Sequence, residues 1–379
     1  MKRLHPWVFS GAIQVIHGRP AEGDLVEVFS DNNEYLATGH YQPGSIAVRI
    51  LTFKNETIDN SFWEARISEA WELRRKLGMI NNSKTNVFRI VNGEGDFMPG
   101  MIIDFYNGTA VIQAHSVGMY IERENITNAL KTVLGDLLKC VYNKSEASLP
   151  FKAAINSKGE YLFGKQGNNL VQEYGNTFQI DWEEGQKTGF YIDQRENRKL
   201  LAEYSGGRNV LNMFCYSGAF SVYACAAGAA LVHSVDASKK AIELTNTNIG
   251  LNFPGYKNHS SFAVDAFEFL DRADPVYDLI VLDPPAFAKH QSALNNALQG
   301  YKKLNRHAIE KIKPGGIIFT FSCSQAVSRE NFRKSVFTAS ANTGRKVKIL
   351  HQLSQPADHP VSMYHPEGEY LKGFVLEVD

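Results

Sequence analysis

The apolar positions of this chain change their period along its length, and each change marks a new kind of element. Through residue 70 they fall in short runs at 25–29, 35–40 and 46–51, separated by Gly, Asp, Asn and Pro turn signals. That pattern predicts a small β module. Between 61 and 77, Phe62, Ile67, Ala70, Trp71 and Leu77 recur at helical spacing before Gly78, which predicts a linking helix with a glycine stop. Strand-like runs at 87–91, 101–105 and 110–115 accompany one amphipathic stretch at 121–138, a second, α+β module without clustered catalytic residues. Beyond about 170, strand and helix alternate. Strands are expected at 209–214, 231–236, 277–283 and 316–322, and helices at 220–227, 239–248 and 295–312. Alternation of this kind predicts a mostly parallel sheet covered by helices, with ligands bound at the carboxyl ends of its strands. The expected fold class is therefore α/β, with domains at 1–70, 71–168 and 169–379.

Composition narrows the function less than the pattern does. Forty basic residues balance forty acidic ones, so the chain lacks the strongly basic signature of many nucleic-acid binders. The four cysteines, Cys140, Cys215, Cys225 and Cys323, show no Cys-x-x-Cys spacing, which fits a reducing compartment and no structural metal. No apolar run follows Met1-Lys2-Arg3 that could serve as a signal peptide, and the most apolar stretch, 222–232, falls short of the roughly 18 residues a membrane span needs. A cytoplasmic protein is expected.

The candidate chemistry sits at the strand tips. The first strand runs into Phe214-Cys215-Tyr216-Ser217-Gly218-Ala219, whose small residues let backbone N–H groups approach a ligand. The next ends at Asp236-Ala237, at the spacing where an acid accepts hydrogen bonds from ribose hydroxyls. A further strand between these and the 277–283 run, Phe262-Ala263-Val264, is third in order and ends at Asp265-Ala266, where the acid could meet an adenine amine. Any of these acids could instead serve as a helix N-cap. The fourth strand delivers Asp283-Pro284-Pro285-Ala286-Phe287. The prolines leave carbonyls free to accept from a base amine and Phe287 offers a stacking face, unless the loop is simply rigid and the ring packs in the core. The fifth ends at Ser322-Cys323-Ser324, where the thiol is either a nucleophile or buried core.

Taken with His5-Pro6-Trp7-Val8-Phe9-Ser10-Gly11-Ala12-Ile13, Lys187-Thr188-Gly189-Phe190-Tyr191-Ile192-Asp193-Gln194-Arg195, Ala357-Asp358-His359-Pro360 and Pro366-Glu367-Gly368-Glu369-Tyr370-Leu371-Lys372-Gly373-Phe374, these segments resemble the bacterial ribosomal RNA large subunit methyltransferase I family. The resemblance covers nearly the whole chain. It implies a PUA-type RNA-binding β-barrel, a central α+β domain and a seven-stranded Rossmann-like methyltransferase domain. It also implies S-adenosylmethionine as cofactor, 23S rRNA or a large-subunit assembly intermediate as partner, and 5-methylcytosine as product. A homodimer is left open.

On this resemblance Cys323 adds to the base with Asp283 assisting, while Pro284, Pro285 and Phe287 hold the base. Phe214, Tyr216, Ser217, Gly218, Ala219, Asp236, Ala237, Asp265, Ala266 and Asp283 hold the cofactor, under a segment bearing Thr188, Tyr191 and Arg195. That segment leads into a helix through Leu200 and Leu201, which Asp193 and Glu196 would open as a capping box. Two departures stand out. Ala286 replaces a lysine frequent in relatives, and relatives begin further upstream, so either the barrel lacks its first strand or translation starts earlier. The competing readings are an exocyclic-amine or guanine RNA methyltransferase without covalent catalysis, which Cys323 disfavours, and a non-catalytic rRNA-binding assembly factor. Asp236, Asp265, Asp283 and Cys323 together argue against the second.

Overall fold

The computed structural model describes residues 4–150, 158–165, 167–274, 276–288 and 290–379. The chain divides into two units, the first formed by Met1–Gly175, Ile180–Ile192 and Ala357–Gly368, the second by Asn176–Gln179, Asp193–Pro356 and Glu369–Asp379.

In the first unit, β1 (Trp7–Phe9), β2 (Leu25–Phe29), β3 (Tyr35–Tyr41) and β4 (Ile46–Thr52) form an antiparallel sheet in the order β1-β4-β3-β2. Its small core comprises Val8, Ala37, Val48 and Ile50. Helix α1 (Asn60–Lys76) follows, capped by Asp59, whose carboxylate accepts from the Phe62 N–H at 3.1 Å. Phe62, Trp63, Ile67 and Ala70 share one apolar core with Phe88, Ile90, Ile103, Ile112 and Leu130. A boundary at residue 70 would therefore cut a helix whose buried face packs mainly with the α+β elements after it, Leu51 of β4 joining the same core.

Those elements are β5 (Val87–Asn92), β6 (Met101–Tyr106), β7 (Thr109–Ala114), α2 (Val117–Ile121), α3 (Arg123–Leu134), β8 (Cys140–Asn143) and β9 (Glu160–Phe163), with the sheet in chain order. Strands β7 and β8 are parallel, and α2 and α3 make the crossover between them. Helix α2 precedes the single helix expected at 121–138, which is α3 followed by a 3₁₀ turn at Gly135–Leu137. Ser116 caps α2, accepting from the Met119 N–H, and Gly135, at φ +53°, ends α3. β10 (Leu170–Glu173) completes the unit.

The second unit carries β11 (Asn176–Gln179), α4 (Arg195–Ser205), β12 (Asn209–Met213), α5 (Ala219–Ala226), β13 (Leu231–Asp236), α6 (Lys239–Asn252), β14 (His259–Ala263), α7 (Ala266–Arg272), β15 (Leu279–Leu282), α8 (Leu294–Lys311), β16 (Gly316–Ser322), α9 (Arg329–Thr343), β17 (Val347–Leu353) and β18 (Lys372–Val378). Its seven-stranded sheet runs β14-β13-β12-β15-β16-β18-β17. The first five are parallel; β18 runs antiparallel to both neighbours. Chain order reverses on either side of β12, so the carboxyl ends of β12, β13 and β15 flank the switch point where ligands bind in such sheets. Among the described residues, no helix is long and apolar enough to cross a membrane.

Candidate active site

The loop leaving β12 is shaped by its backbone. Phe214, Tyr216 and Gly218 all adopt positive φ, at 59°, 47° and 70°. Side chains around the loop hold this unusual path. Asp236, half-buried at the tip of β13, accepts from the Tyr216 N–H at 3.0 Å and the Ser238 N–H at 2.9 Å. From α6, the Thr245 hydroxyl donates to the Tyr216 carbonyl at 3.0 Å and the Asn248 amide donates to the Ser217 carbonyl at 2.8 Å. Gly218 begins α5 without a side-chain cap, and a Cβ there would lie 2.6 Å from Thr245 Cγ2. Ser217 and Ala219 are buried, whereas Phe214 and Tyr216 are half-buried. Thr245 and Asn248 were missing from the sequence reading, since a polar residue on an amphipathic helix carries no local sign that it faces a loop.

Asp265 is exposed and caps α7, its Oδ1 accepting from the N–H groups of Phe267 and Glu268 at 2.9 and 3.1 Å. Ala266 lies in the core behind it, and Ala237 is exposed.

At the tip of β15, Asp283 is half-buried, Pro284 buried and Pro285 exposed. The Phe287 ring leans on Tyr301 of α8 with centroids 4.7 Å apart, over Gly300, where a Cβ would stand 3.0 Å from the ring. Phe287 thereby takes the packed position that a rigid loop offers it. Beside this loop, the tip of β16 places Cys323 Sγ 4.0 Å from the Pro284 carbonyl oxygen. Ser324 Oγ accepts from the Ala288 N–H at 3.3 Å and shares a hydrogen bond with the Tyr301 hydroxyl at 3.0 Å, so the two strand-tip loops are tied together.

Exposure separates the cysteines. Cys323 is half-exposed, while Cys140, Cys215 and Cys225 are buried. Burial pushes the Cys215 thiol up to about 12, with the nearby Asp236 carboxylate adding to the shift and a bond to Thr245 opposing it. Burial likewise pushes Cys225 up to about 12. Burial thus disfavours the thiolate form of both.

Thr188 and Tyr191 belong to the first unit. The buried Thr188 hydroxyl donates to Asp104 Oδ2 at 2.6 Å and pairs with the Tyr106 hydroxyl at 2.8 Å. Asp104 is itself gripped by Arg89 at 2.7 and 3.0 Å. Tyr191 donates to Gln186 at 2.7 Å, and the Lys187 ammonium sits 4.7 Å from its ring centroid. Arg195, in the second unit, is buried at the start of α4 and meets Glu196 at 3.3 Å. Asp193 does not occupy the N-cap position that the expected capping box with Glu196 requires. A 3₁₀ turn at Ile192–Gln194 delays the helix, its N-cap is Gln194 without a side-chain bond, and Asp193 instead accepts from the Tyr370 hydroxyl at 2.8 Å.

Comparison with known proteins bears on this arrangement. A family model described as S-adenosylmethionine-dependent methyltransferase matches residues 142–363, and one described as PUA-like domain matches residues 1–53. The chain is 38% identical to a ribosomal RNA large subunit methyltransferase I of Alteromonas mediterranea, covering 100% of this chain and 96% of that protein. It is also 38% identical to the protein of the same name from Pseudoalteromonas atlantica, covering 99% and 96%. Among solved structures, it is similar to a SAM-dependent methyltransferase candidate from Streptococcus mutans, with TM-score 0.85 at 23% identity over 100% of this chain and 96% of that one. A methyltransferase candidate complexed with SAH gives 0.86 at the same identity and coverage.

Proposed function

Since the chain belongs to the ribosomal RNA large subunit methyltransferase I family, we propose that it forms 5-methylcytosine in 23S rRNA through a transient covalent bond from Cys323 to the base. The observation that carries this reading is the half-exposed Cys323 thiol, 4.0 Å from the Pro284 carbonyl on the neighbouring strand-tip loop.

The strand-tip loop of β12 suits an S-adenosylmethionine molecule. Its positive-φ backbone, the glycine whose Cβ would strike Thr245, and an Asp236 carboxylate already held by two N–H groups form a close-approach cradle beside an acid. Bound there, the cofactor supplies an activated methyl group. Phe214, Tyr216, Ser217, Gly218 and Ala219 would line it, Asp236 and Ala237 would meet the ribose, and Asp265 and Ala266 the adenine. The family resemblance adds Thr188, Tyr191 and Arg195 as further candidates for cofactor binding.

Carbon 5 of cytosine is a weak nucleophile. In the proposed sequence, the Cys323 thiolate adds to carbon 6, forming a C–S bond and pushing electron density onto carbon 5. Asp283 hydrogen-bonds or protonates the ring nitrogen beside the amine, and the Pro284 carbonyl accepts from the amine, stabilising the charge that develops. After carbon 5 is methylated, its proton leaves to a base, the C–S bond breaks and the thiolate returns. An exocyclic-amine transfer would use Asp283 and Pro284 as well, but would leave Cys323 idle.

The RNA, naked or in an assembling large subunit, is the proposed partner in the cytoplasm, with the PUA-like residues 1–53 as its anchor. Mapping 5-methylcytosine by bisulfite sequencing of 23S rRNA tests this reading. A cytosine protected in the parent strain, converted in a deletion strain and protected again on complementation is expected. An unchanged map contradicts it.

A further inference from the structure

Lys372 is a lysine where the sequence offers no reason to bury one. It opens β18 opposite Ser322, the residue before the proposed nucleophile, and is 3% exposed. Its ammonium donates to the Ser324 carbonyl at 2.8 Å and the Val327 carbonyl at 2.7 Å. Both acceptors lie in the turn that leaves Cys323. Taking an ammonium out of water is costly, and two neutral carbonyls compensate that cost only in part. Burial accordingly lowers Lys372 to about 8, and the nearby Cys323 opposes the shift.

The surrounding groups leave Cys323 as the natural counter-charge. Arg329 and Glu369, the other charges acting on Lys372, neutralise each other through a 2.6 Å ion pair. Tyr301, on α8, bonds to Ser324 and is raised by burial, so it is neutral at physiological pH. Asp283 stands at the adjoining strand tip, and its proposed partner is the base.

We propose that Lys372 is a positioning residue for the Cys323 thiolate: its ammonium clamps the turn that carries the thiol and supplies the positive charge that favours ionisation. The thiol proton departs to solvent before attack, and Lys372 keeps its own. A turn clamp alone would hold the loop without altering the thiol's acidity, so thiol acidity distinguishes the two roles.

The proposal rests on Cys323 being the nucleophile, yet its test reads the thiol and not methylation. The rate of iodoacetamide alkylation at Cys323 is followed by peptide mass spectrometry from pH 5.5 to 10 in the full-length protein and in Lys372→Met. The wild-type midpoint is expected below the ordinary thiol value of about 8.5. In Lys372→Met it is expected about one unit higher, which is roughly tenfold less thiolate at neutral pH. A folded Lys372→Met protein with an unshifted midpoint overturns the proposal. Should that variant fail to fold, a wild-type midpoint at or above about 8.5 overturns it equally. Failure to trap Cys323 on RNA would instead count against the nucleophile assignment and leave the alkylation result standing.

Discussion

Replacing Gly218 with alanine perturbs the loop proposed to hold the cofactor at one atom, and the structure sets the expected size of the effect. The φ of +70° costs a non-glycine residue roughly 1–2 kcal/mol. The new Cβ would also lie 2.6 Å from Thr245 Cγ2 and 3.0 Å from its Cβ and Oγ1, an overpacking of the kind that costs about 1–3 kcal/mol. Because Thr245 also holds the Tyr216 carbonyl, any shift that relieves the contact moves the cradle.

Gly218→Ala should therefore destabilise β12 and α5 by about 2–5 kcal/mol and weaken S-adenosylmethionine binding. All four tryptophans, Trp7, Trp63, Trp71 and Trp182, lie in the first unit, so their fluorescence would miss the change. Amide hydrogen exchange in β12 and α5 and calorimetric titration with the cofactor are the suitable assays. Thr245→Ser removes the offending methyl and keeps the hydroxyl, so the double variant should regain about 1 kcal/mol or more over additivity. A Gly218→Ala protein with wild-type protection and affinity, or a double variant that is strictly additive, would refute the reasoning.

Asp236→Ala should weaken cofactor binding by about 1.5–3 kcal/mol, roughly 10- to 150-fold by calorimetry, since it removes a charged acceptor and frees the Tyr216 and Ser238 N–H groups; equal affinity would remove the assignment. His40 is 3% exposed and lowered to about 4, by burial first and by the Arg49 charge second. The unfolded chain takes up the proton near 6.5 and the folded one near 4, so this contribution is complete above about pH 6.5 and is lost as pH falls toward 4. Urea midpoints read by tryptophan fluorescence should fall across that window, and His40→Phe should flatten the decline by up to about 1.4 kcal/mol per pH unit; a slope untouched by the substitution would contradict this. RNA affinity should drop as salt rises despite the balanced net charge, because phosphate contacts release counterions; filter binding that ignores salt would count against phosphate recognition.

Much of the second unit is visible in the sequence because its central strands are buried on both faces and read as unbroken apolar runs. Leu279-Ile280-Val281-Leu282 is fully buried, as is every residue of Gly316–Ser322. The strands at the far edge escape for physical reasons. β17 exposes Lys348, Ile349, Leu350 and Gln352, so its apolar residues share no buried face, and β18 opens with a buried lysine ahead of its apolar run Phe374-Val375-Leu376. The helix at 60–76 has a legible apolar stripe, but the side of the boundary on which it packs depends on contacts distant in sequence. Deleting residues 1–70 would for that reason expose the core around Phe88 and Leu130, and makes a poor probe of RNA anchoring.

At the proposed site, the strand-end positions of Asp236, Asp283 and Cys323 are legible in the sequence. The roles of Asp265 as a cap, Phe287 as a packed ring and Lys372 as a clamp depend on partners that local spacing does not encode.

The central claim is that Cys323 attacks the base. RNA carrying 5-fluorocytosine at the target position tests it most directly, because fluorine cannot leave carbon 5 as a proton does, and turnover stops with enzyme and RNA joined. The account predicts a cofactor-dependent covalent complex, resistant to denaturing electrophoresis, that forms with the wild-type protein and with Cys215→Ala but not with Cys323→Ala, which should also fail to methylate normal RNA. A Cys323→Ala protein that methylates its RNA at a near-normal rate would contradict it.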